Sequence, residues 1–135
     1  MSLEKNLESL SKETKVGAIP QKDKNGNYQL NINLKTQVSI TEIDHNTFFY
    51  VKIMPMPEIK NKEALFIYLM KANLLGQGTG GSVIGIDSLE KHFTLSLSLP
   101  IDLNYKIFKN YLEDFLNYVD FWKEEIPSFL ANLSD

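Results

Sequence analysis

The sequence predicts an α+β fold in which a twisted antiparallel sheet is built in the order α-β-β-β-α-β-β-α. Two patterns predict it. Apolar residues recur with a helical period near 2–14, 61–75 and 103–125, and they alternate with a period of two in the segments between. The chain's 135 residues suit one domain, which we expect to cover 1–126 and to be followed by a C-terminal tail over 127–135.

The first half of the chain predicts one helix and three strands. Leu3, Leu7 and Leu10 recur at spacings of four and three, which indicates a short amphipathic helix over 2–14. After a loop over 16–27, apolar and polar residues alternate in the strand that starts at Tyr28, so one of its faces is expected to meet solvent. The segment TQVSITEI continues the alternation. The third strand, TFFYVKIM, is apolar on both faces. Its two apolar rows are Phe49, Val51 and Ile53, and Phe48, Tyr50 and Met54.

The second half predicts two helices that flank two strands. The helix over 61–75 is apolar nearly all round, and it is followed by the strands SVIGID and HFTLSLSL. The last helix runs from about Leu103 to Glu125, with a wide aromatic and aliphatic stripe, and Pro127 is expected to close it.

A glycine-rich run, LGQGTGGSVIGID at 75–87, matches the string G-x-G-x-x-G of dinucleotide-binding proteins. That chemistry needs the glycines to leave a strand and open a helix, because the helix N-terminus holds the pyrophosphate. Here the glycines follow a helix and precede a strand. We therefore interpret Gly76 as a left-handed cap of the second helix, and the other glycines as sites of sharp turns and close packing.

Composition excludes several functional classes. There is no cysteine, all fourteen positive charges are lysines, and the net charge is −3, so neither a nucleic-acid site nor a thiolate-based metal site is expected. No segment resembles a signal peptide or a membrane span, which predicts a cytoplasmic protein. His45 and His92 are interpreted as a turn residue and a strand-start residue. Without an acid, base and nucleophile constellation we expect no enzyme, and we expect no cofactor and no metal.

Exposed apolar surface is the remaining physical signal. A helix that is apolar all round needs cover on more than one side, and a second copy of the chain can supply it through a two-fold interface. The apolar row Phe48, Tyr50 and Met54 has only the thin first helix as a cover, so it offers a groove to a partner. An extended partner could also add a strand to the sheet edge.

The passages KANLLGQGTGGSVIGID and HFTLSLSLPIDLN, with the helix KIFKNYLEDFLNYVDFWKEEI, resemble the class I chaperones of bacterial type III secretion, the Tir-chaperone or CesT-like family. The resemblance implies a small acidic homodimer, associated with virulence, that binds the extended N-terminal segment of one or more secreted effectors and keeps it competent for secretion. It also implies the site residues. The expected effector-binding residues are Leu3, Leu7, Leu10, Leu30, Ile32, Phe48, Tyr50 and Met54. The expected dimer-interface residues are Leu65, Tyr68, Leu69, Ala72, Leu75, Val83, Ile84 and Ile86.

These interpretations predict that Leu7→Asp or Phe48→Asp abolishes client binding and leaves the dimer folded. The alternative function is a carrier of an apolar small molecule, in which the sheet curls around the last helix and the aromatic residues line a cavity. The identity and number of clients, and a contact with the ATPase of the secretion apparatus, stay open at this point.

Overall fold

The computed structural model describes residues 3–14, 22–33, 35–44, 46–60, 62–100 and 103–133. Its helices are α1 (Leu3–Thr14), α2 (Glu63–Asn73) and α3 (Tyr105–Asn132), and a short 3₁₀ turn covers Leu74–Gly76. Its strands are β1 (Tyr28–Asn33), β2 (Thr36–Ile43), β3 (Asn46–Pro55), β4 (Val83–Ile86) and β5 (His92–Pro100). The predicted element order and the α+β class are confirmed. Leu34, His45, Asn61 and most of the loop predicted over 16–27 lie outside the described residues.

The sheet has five strands in the order β1-β2-β3-β5-β4. The pairs β1–β2, β2–β3 and β4–β5 are antiparallel. The chain groups into two compact units, one made of Met1–Val51 and Leu97–Glu113 and the other of Lys52–Ser96 and Asp114–Asp135. We call them unit 1 and unit 2. β3, β5 and α3 each have residues in both units. The single domain over 1–126, with a C-terminal tail over 127–135, stays a prediction.

The core of unit 1 lies on one face of the first three strands. The registers place Phe49 opposite Ile40, and Ile40 opposite Tyr28, so these three side chains share that face. All three are buried. Phe108 of α3 meets Phe49 edge to face, with ring centroids 5.8 Å apart, so the start of α3 packs on this face. Phe49 and Val51, from one of the two predicted apolar rows of β3, are both buried here.

The core of unit 2 is made by α2, the β4–β5 hairpin and the second half of α3. Leu65 and Leu69 of α2 are buried, and Phe66 meets Phe93 of β5 edge to face, with ring centroids 6.2 Å apart. Trp122 of α3 is buried as well, and its indole Nε1–H donates to the carbonyl oxygen of Gly78 at 3.0 Å. That bond ties the glycine loop after α2 to α3.

The prediction that Pro127 ends the last helix is wrong, because α3 continues to Asn132. Proline removes one backbone donor, but the contacts on either side of it hold the helical path. Tyr68 of α2 donates to Glu125 before the proline and stacks flat on Phe129 after it, with ring centroids 4.4 Å apart. Tertiary contacts thus override the local preference of Pro127.

The glycine loop has the predicted order, since it follows helix α2 and precedes strand β4. Gly76 has a φ of +71°, which confirms the left-handed conformation expected there. That conformation begins one residue earlier than predicted, since Leu75 has a φ of +54°. A Cβ at Gly76 would lie 2.8 Å from the backbone nitrogen of Gly81, so the loop closes on itself too tightly for a side chain at this position.

Candidate functional site

A polar row covers the face of unit 1 that lies opposite Phe49. The register pairs Ser39 with Tyr50 and Thr41 with Phe48, and it pairs Gln29 with Ser39 on the next strand. Phe48 and Tyr50, both half-buried, therefore sit among polar side chains. We call this surface the polar sheet face; its residues are Gln29, Asn31, Gln37, Ser39, Thr41, Phe48 and Tyr50.

The polar side chains of this face bind one another across β1 and β2. Ser39 Oγ donates to Gln29 Oε1 at 2.9 Å, and Gln37 Nε2 donates to Asn31 Oδ1 at 3.0 Å. Gln29 Nε2 in turn donates to Asp23 at 3.0 Å, and this carboxylate also accepts backbone bonds that lower its pKa. Cross-strand pairs of this kind hold a sheet surface in one arrangement. The face is an ordered array of amides and hydroxyls beside two aromatic rings.

The predicted effector-binding residues of the sheet divide between its two faces. Leu30 pairs with Val38 and shares the face of Tyr28 and Ile40. Ile32 is exposed and lies where the register shifts between Asn31 and Asn33. Phe48 and Tyr50 lie on the polar sheet face. Leu30 therefore lies on the face of the sheet opposite to Phe48 and Tyr50. Met54 is half-buried in unit 2.

Helix α1 is packed into unit 1. Leu3 and Leu7 are 1% and 0% exposed, while Leu10 is half-buried. Asn6 is buried too, and its Nδ2 donates to the carbonyl oxygen of Leu103 at 3.1 Å. Leu3 and Leu7 thus offer no surface to a client in this conformation. An aspartate at Leu7 would place a charge in the core, so it would unfold α1 rather than test binding.

The end of α1 is fixed by a charged cluster. Glu13 accepts hydrogen bonds from Lys109 Nζ and from the Tyr105 hydroxyl, both on α3. The bond from Lys109, followed by that from Tyr105, lowers the pKa of Glu13. Burial, followed by the bond to Glu13, raises the pKa of Tyr105 to about 12. The cluster holds α1 against the first turns of α3 within unit 1.

Helix α2 exposes the apolar face opposite to the one predicted for the dimer. Leu65, Leu69 and Ile84 are buried in the chain itself, and Ala72 is half-buried. Four exposed apolar residues form what we call the α2 patch: Ile67 and Met70 of α2, Leu74 of the 3₁₀ turn and Ile86 of β4. Of the predicted interface, Leu75, Val83 and Ile86 are exposed, with Leu75 at 89%.

Sequence reasoning missed Ile67, Met70 and Leu74 as interface candidates, although one signal could have found them. Glu63 and Lys71 are the charged residues of α2, and helical spacing puts both on the same face as these three. A helix face that carries its charges is the one that meets solvent or a partner. The face without charges enters the core.

Beside the α2 patch lies an apolar cavity of about 290 Å³. Its lining includes the exposed Met70 and Ile86, together with Phe66, Leu69 and Phe93. Its volume would hold a large apolar side chain, so the patch combines protruding groups with a recess. Such a combination suits the packing of another protein surface.

Tyr68 is engaged inside unit 2. Its ring lies between Phe129, stacked at 4.4 Å, and Trp122, tilted at 5.8 Å. Its hydroxyl donates to Glu125, and this bond, together with burial, raises the pKa of Tyr68 to about 12. Tyr68 therefore joins α2 to the end of α3 within the chain, although the prediction had placed it in a dimer interface.

Among the described residues the one histidine is His92, and it lies beside a carboxylate. The imidazole Nδ1 of His92 lies 3.2 Å from Asp87 Oδ2 in the turn between β4 and β5, and His45 is outside the described residues. Within the described ranges there is no group of three side chains spaced to bind a metal ion. Among the same residues, no helix has the length and apolar character required to cross a membrane.

Most of the chain matches the model of a known protein family. The model of the Tir chaperone protein (CesT) family matches residues 5–123. The Chlamydia pneumoniae protein CPj0713/CpB0740 is 25% identical over 125 residues, which are 92% of this chain and 95% of that protein.

Two solved complexes share the fold. A chain of the ExsC–ExsE complex matches with a TM-score of 0.75 at 16% identity, over 91% of this chain and 95% of that one. A chain of the HopA1–SchA chaperone–effector complex matches with a TM-score of 0.71 at 15% identity, over 89% of this chain and 91% of that one. At these identities the likeness establishes the fold.

Proposed function

Because the chain belongs to the Tir chaperone protein (CesT) family, we propose that it is a chaperone of type III secretion effectors. It binds the extended N-terminal segment of one or more effectors, without catalysis, and keeps that segment soluble and competent for secretion. It acts in the bacterial cytoplasm as a homodimer. The similarity to SchA, solved as a chaperone–effector complex, supports this function.

The observation that carries the proposal is the polar sheet face. An extended polypeptide presents backbone amides along its whole length and a side chain on each side in alternation. The amides and hydroxyls around Gln29 and Ser39 can exchange hydrogen bonds with such a backbone, and Phe48 supplies apolar area for a side chain. We place the effector segment on this face, and we leave the buried Leu3 and Leu7 out of the site.

The experiment is a comparison of two charged variants in unit 1. The protein is first purified from its native cell, and mass spectrometry identifies the client bound to it. The affinity is then measured with a peptide from the N-terminal segment of that client. Phe48→Asp should weaken binding by at least about tenfold, since a half-buried aromatic anchor is replaced by a charge. Ile107→Asp is the control, because Ile107 is an exposed apolar residue of α3 in the same unit. Equal affinities for both variants would remove Phe48 from the site.

For self-association we propose the α2 patch. Four exposed apolar side chains beside an apolar cavity form a contiguous apolar surface of the kind that marks a protein interface. A second copy of the chain can cover this surface through a two-fold axis. Light scattering should give twice the chain mass for the natural protein and the single chain mass for Met70→Glu. Leu89→Glu is the control, because Leu89 is 71% exposed in the β4–β5 turn. A Met70→Glu protein that keeps the double mass would refute this placement.

The carrier of an apolar small molecule remains the alternative. The aromatic stripe of α3 that was expected to line its cavity is packed, with Phe108, Phe115 and Trp122 each 1% exposed. Native mass spectrometry of freshly purified protein separates the two functions. A co-purifying lipid would favour the carrier, and a ligand-free dimer would favour the chaperone. Contact with the secretion ATPase stays a prediction.

A further inference from the structure

The outer edge of β4 is closed by a side chain. β4 lies at one end of the strand order, so no strand among the described residues pairs with the backbone groups that point away from β5. At Ile84 both of these groups are bound by Asn73. The backbone N–H of Ile84 donates to Asn73 Oδ1 at 2.7 Å, and Asn73 Nδ2 donates to the carbonyl oxygen of Ile84 at 2.9 Å.

The Asn73 carboxamide stands where a sixth strand would pair. In an antiparallel ladder, a hydrogen-bonded residue exchanges both an N–H and a C=O bond with the residue opposite. The carboxamide has the same donor and acceptor as a peptide group, and it exchanges the same two bonds with Ile84. Alternation along β4 directs the backbone groups of Val83 and Gly85 toward β5, and those of Ile84 and Ile86 outward.

Asn73 is held in this position by its surroundings. It is the last residue of α2, which packs on the β4–β5 hairpin through Phe66 and Phe93. The backbone N–H of Gly78 donates to the carbonyl oxygen of Ala72 at 2.9 Å, which fixes the chain as it leaves the helix. Asn73 is half-buried and also lines the apolar cavity. These contacts hold the Asn73 carboxamide in the position from which it bonds Ile84.

We infer that Asn73 is an edge guard that prevents an extended polypeptide from pairing with β4. Its two bonds use the outward donor and acceptor of Ile84, which a pairing strand would need. Without it, an uncharged apolar strand, VIGI, would present an open edge, which is a template for strand addition and aggregation. The inference concerns the backbone edge, so it stands whether or not the proposed client and dimer surfaces are correct.

Amide hydrogen exchange of the natural protein tests the guard directly. The Ile84 amide should exchange at least about tenfold more slowly than the Ile86 amide. Ile86 also points outward, but it lies two residues, about 7 Å, further along the strand and out of reach of Asn73. Equal exchange at the two positions, both in the natural protein and in Met70→Glu, where the proposed dimer no longer covers Ile86, would overturn the inference.

Variants then test the pairing itself, with the peptide SVIGID, the sequence of 82–87, as the probe strand. Asn73→Ala should speed exchange at Ile84 about tenfold or more and should bind the peptide, which the natural protein should not. Asn73→Ala with Ile86→Pro should lose that binding, because proline removes an outward N–H and leaves the bonds to β5 intact. Peptide binding that is equal in the natural protein and in Asn73→Ala would refute the guard.

A further variant covers the case in which Asn73→Ala fails to fold, as judged by the fluorescence of the single Trp122. Asn73→Asp keeps the acceptor for the Ile84 N–H and loses the donor to its carbonyl. The Ile84 amide should then stay protected and the peptide should still not bind, because the outward donor of Ile84 remains occupied; peptide binding by Asn73→Asp would count against the guard. Light scattering on the same samples reports the dimer separately, so failure of the proposed interface and failure of the guard are distinct results.

Discussion

The crowding at Gly76 predicts a difference between two alanine variants of the same loop. Gly76 and Gly81 both have positive φ, +71° and +90°. A Cβ at Gly76 would lie 2.8 Å from the backbone nitrogen of Gly81 and 2.9 Å from its Cα, whereas a Cβ at Gly81 would meet nothing within 4 Å. Gly81→Ala therefore reports the cost of the left-handed backbone by itself. Gly76→Ala adds a clash that no side-chain rotation can relieve.

The magnitudes follow from these two costs. An alanine in the left-handed region costs about 1–2 kcal/mol, which should be the whole effect of Gly81→Ala. Overpacking against backbone adds about 1–3 kcal/mol for Gly76→Ala. The change in unfolded-chain entropy is the same for both substitutions and cancels in the comparison. For a urea m value of about 2 kcal/mol/M, the two midpoints should differ by about 0.5–1.5 M.

Urea unfolding followed by tryptophan fluorescence measures this difference. Trp122 is the single tryptophan, it is 1% exposed, and it is bonded to Gly78 in the same loop, so its emission reports the state of this region. Both variants should be compared at one protein concentration, because self-association would add to apparent stability. If Gly76→Ala is as stable as Gly81→Ala or more so, a Cβ at Gly76 does not clash with the backbone of Gly81 as the distances predict.

Three further predictions concern the packing of each unit. Leu7→Ala should lower the free energy of unfolding in urea by about 2–5 kcal/mol, and Leu10→Ala should lower it by clearly less, because Leu7 is 0% exposed and Leu10 is half-buried. Similar losses of unfolding free energy in the two variants would refute the placement of α1. The pKa values of Tyr68 and Tyr105 are raised from 10 to about 12, so their contribution to stability is complete below about pH 10 and is lost as pH rises toward 12. Urea unfolding at about pH 9 and about pH 11 should show a smaller drop for Tyr68→Phe/Tyr105→Phe than for the natural protein, and an equal drop would contradict the two hydrogen bonds. Burial alone would raise the pKa of Asp87, but hydrogen bonds from the backbone of Lys91 and His92 outweigh burial and lower that pKa. Asp87→Ala should therefore reduce the melting temperature at neutral pH, and the reduction should disappear as pH falls below about 4. A reduction that persists in acid would argue against this role of Asp87.

Element types could be predicted because periodicity is a local property. The alternation in β3 separated Phe49, Val51 and Ile53 from Phe48, Tyr50 and Met54, and the structure buries the first row and leaves the second half-buried. The grouping of Leu30 with Phe48 could not be predicted, because the faces that two strands share depend on their register. A shift of one residue exchanges the faces, and the turn that sets the register contains residues with unusual backbone angles, such as Asp44 at φ +47°.

The site was harder to predict for a related reason. Two apolar faces of α2 compete for the core, and hydrophobicity alone does not decide between them; the positions of Glu63 and Lys71 do. The role of Asn73 depends on a contact eleven residues away, and an asparagine at the end of a helix has many ordinary uses. Pro127 was misinterpreted because a local rule was applied where Tyr68 and Phe129 supply stronger tertiary contacts.

The continuation of α3 past Pro127 has a practical consequence for handling the protein. A chain cut after residue 126, where the sequence suggests a boundary, would lack Phe129 and uncover one side of the Tyr68 ring. Affinity tags and fluorescent fusions belong after Asn132 instead. Attached there, they would leave the ring stack intact, and limited proteolysis near the C-terminus would report directly on whether the stack has formed.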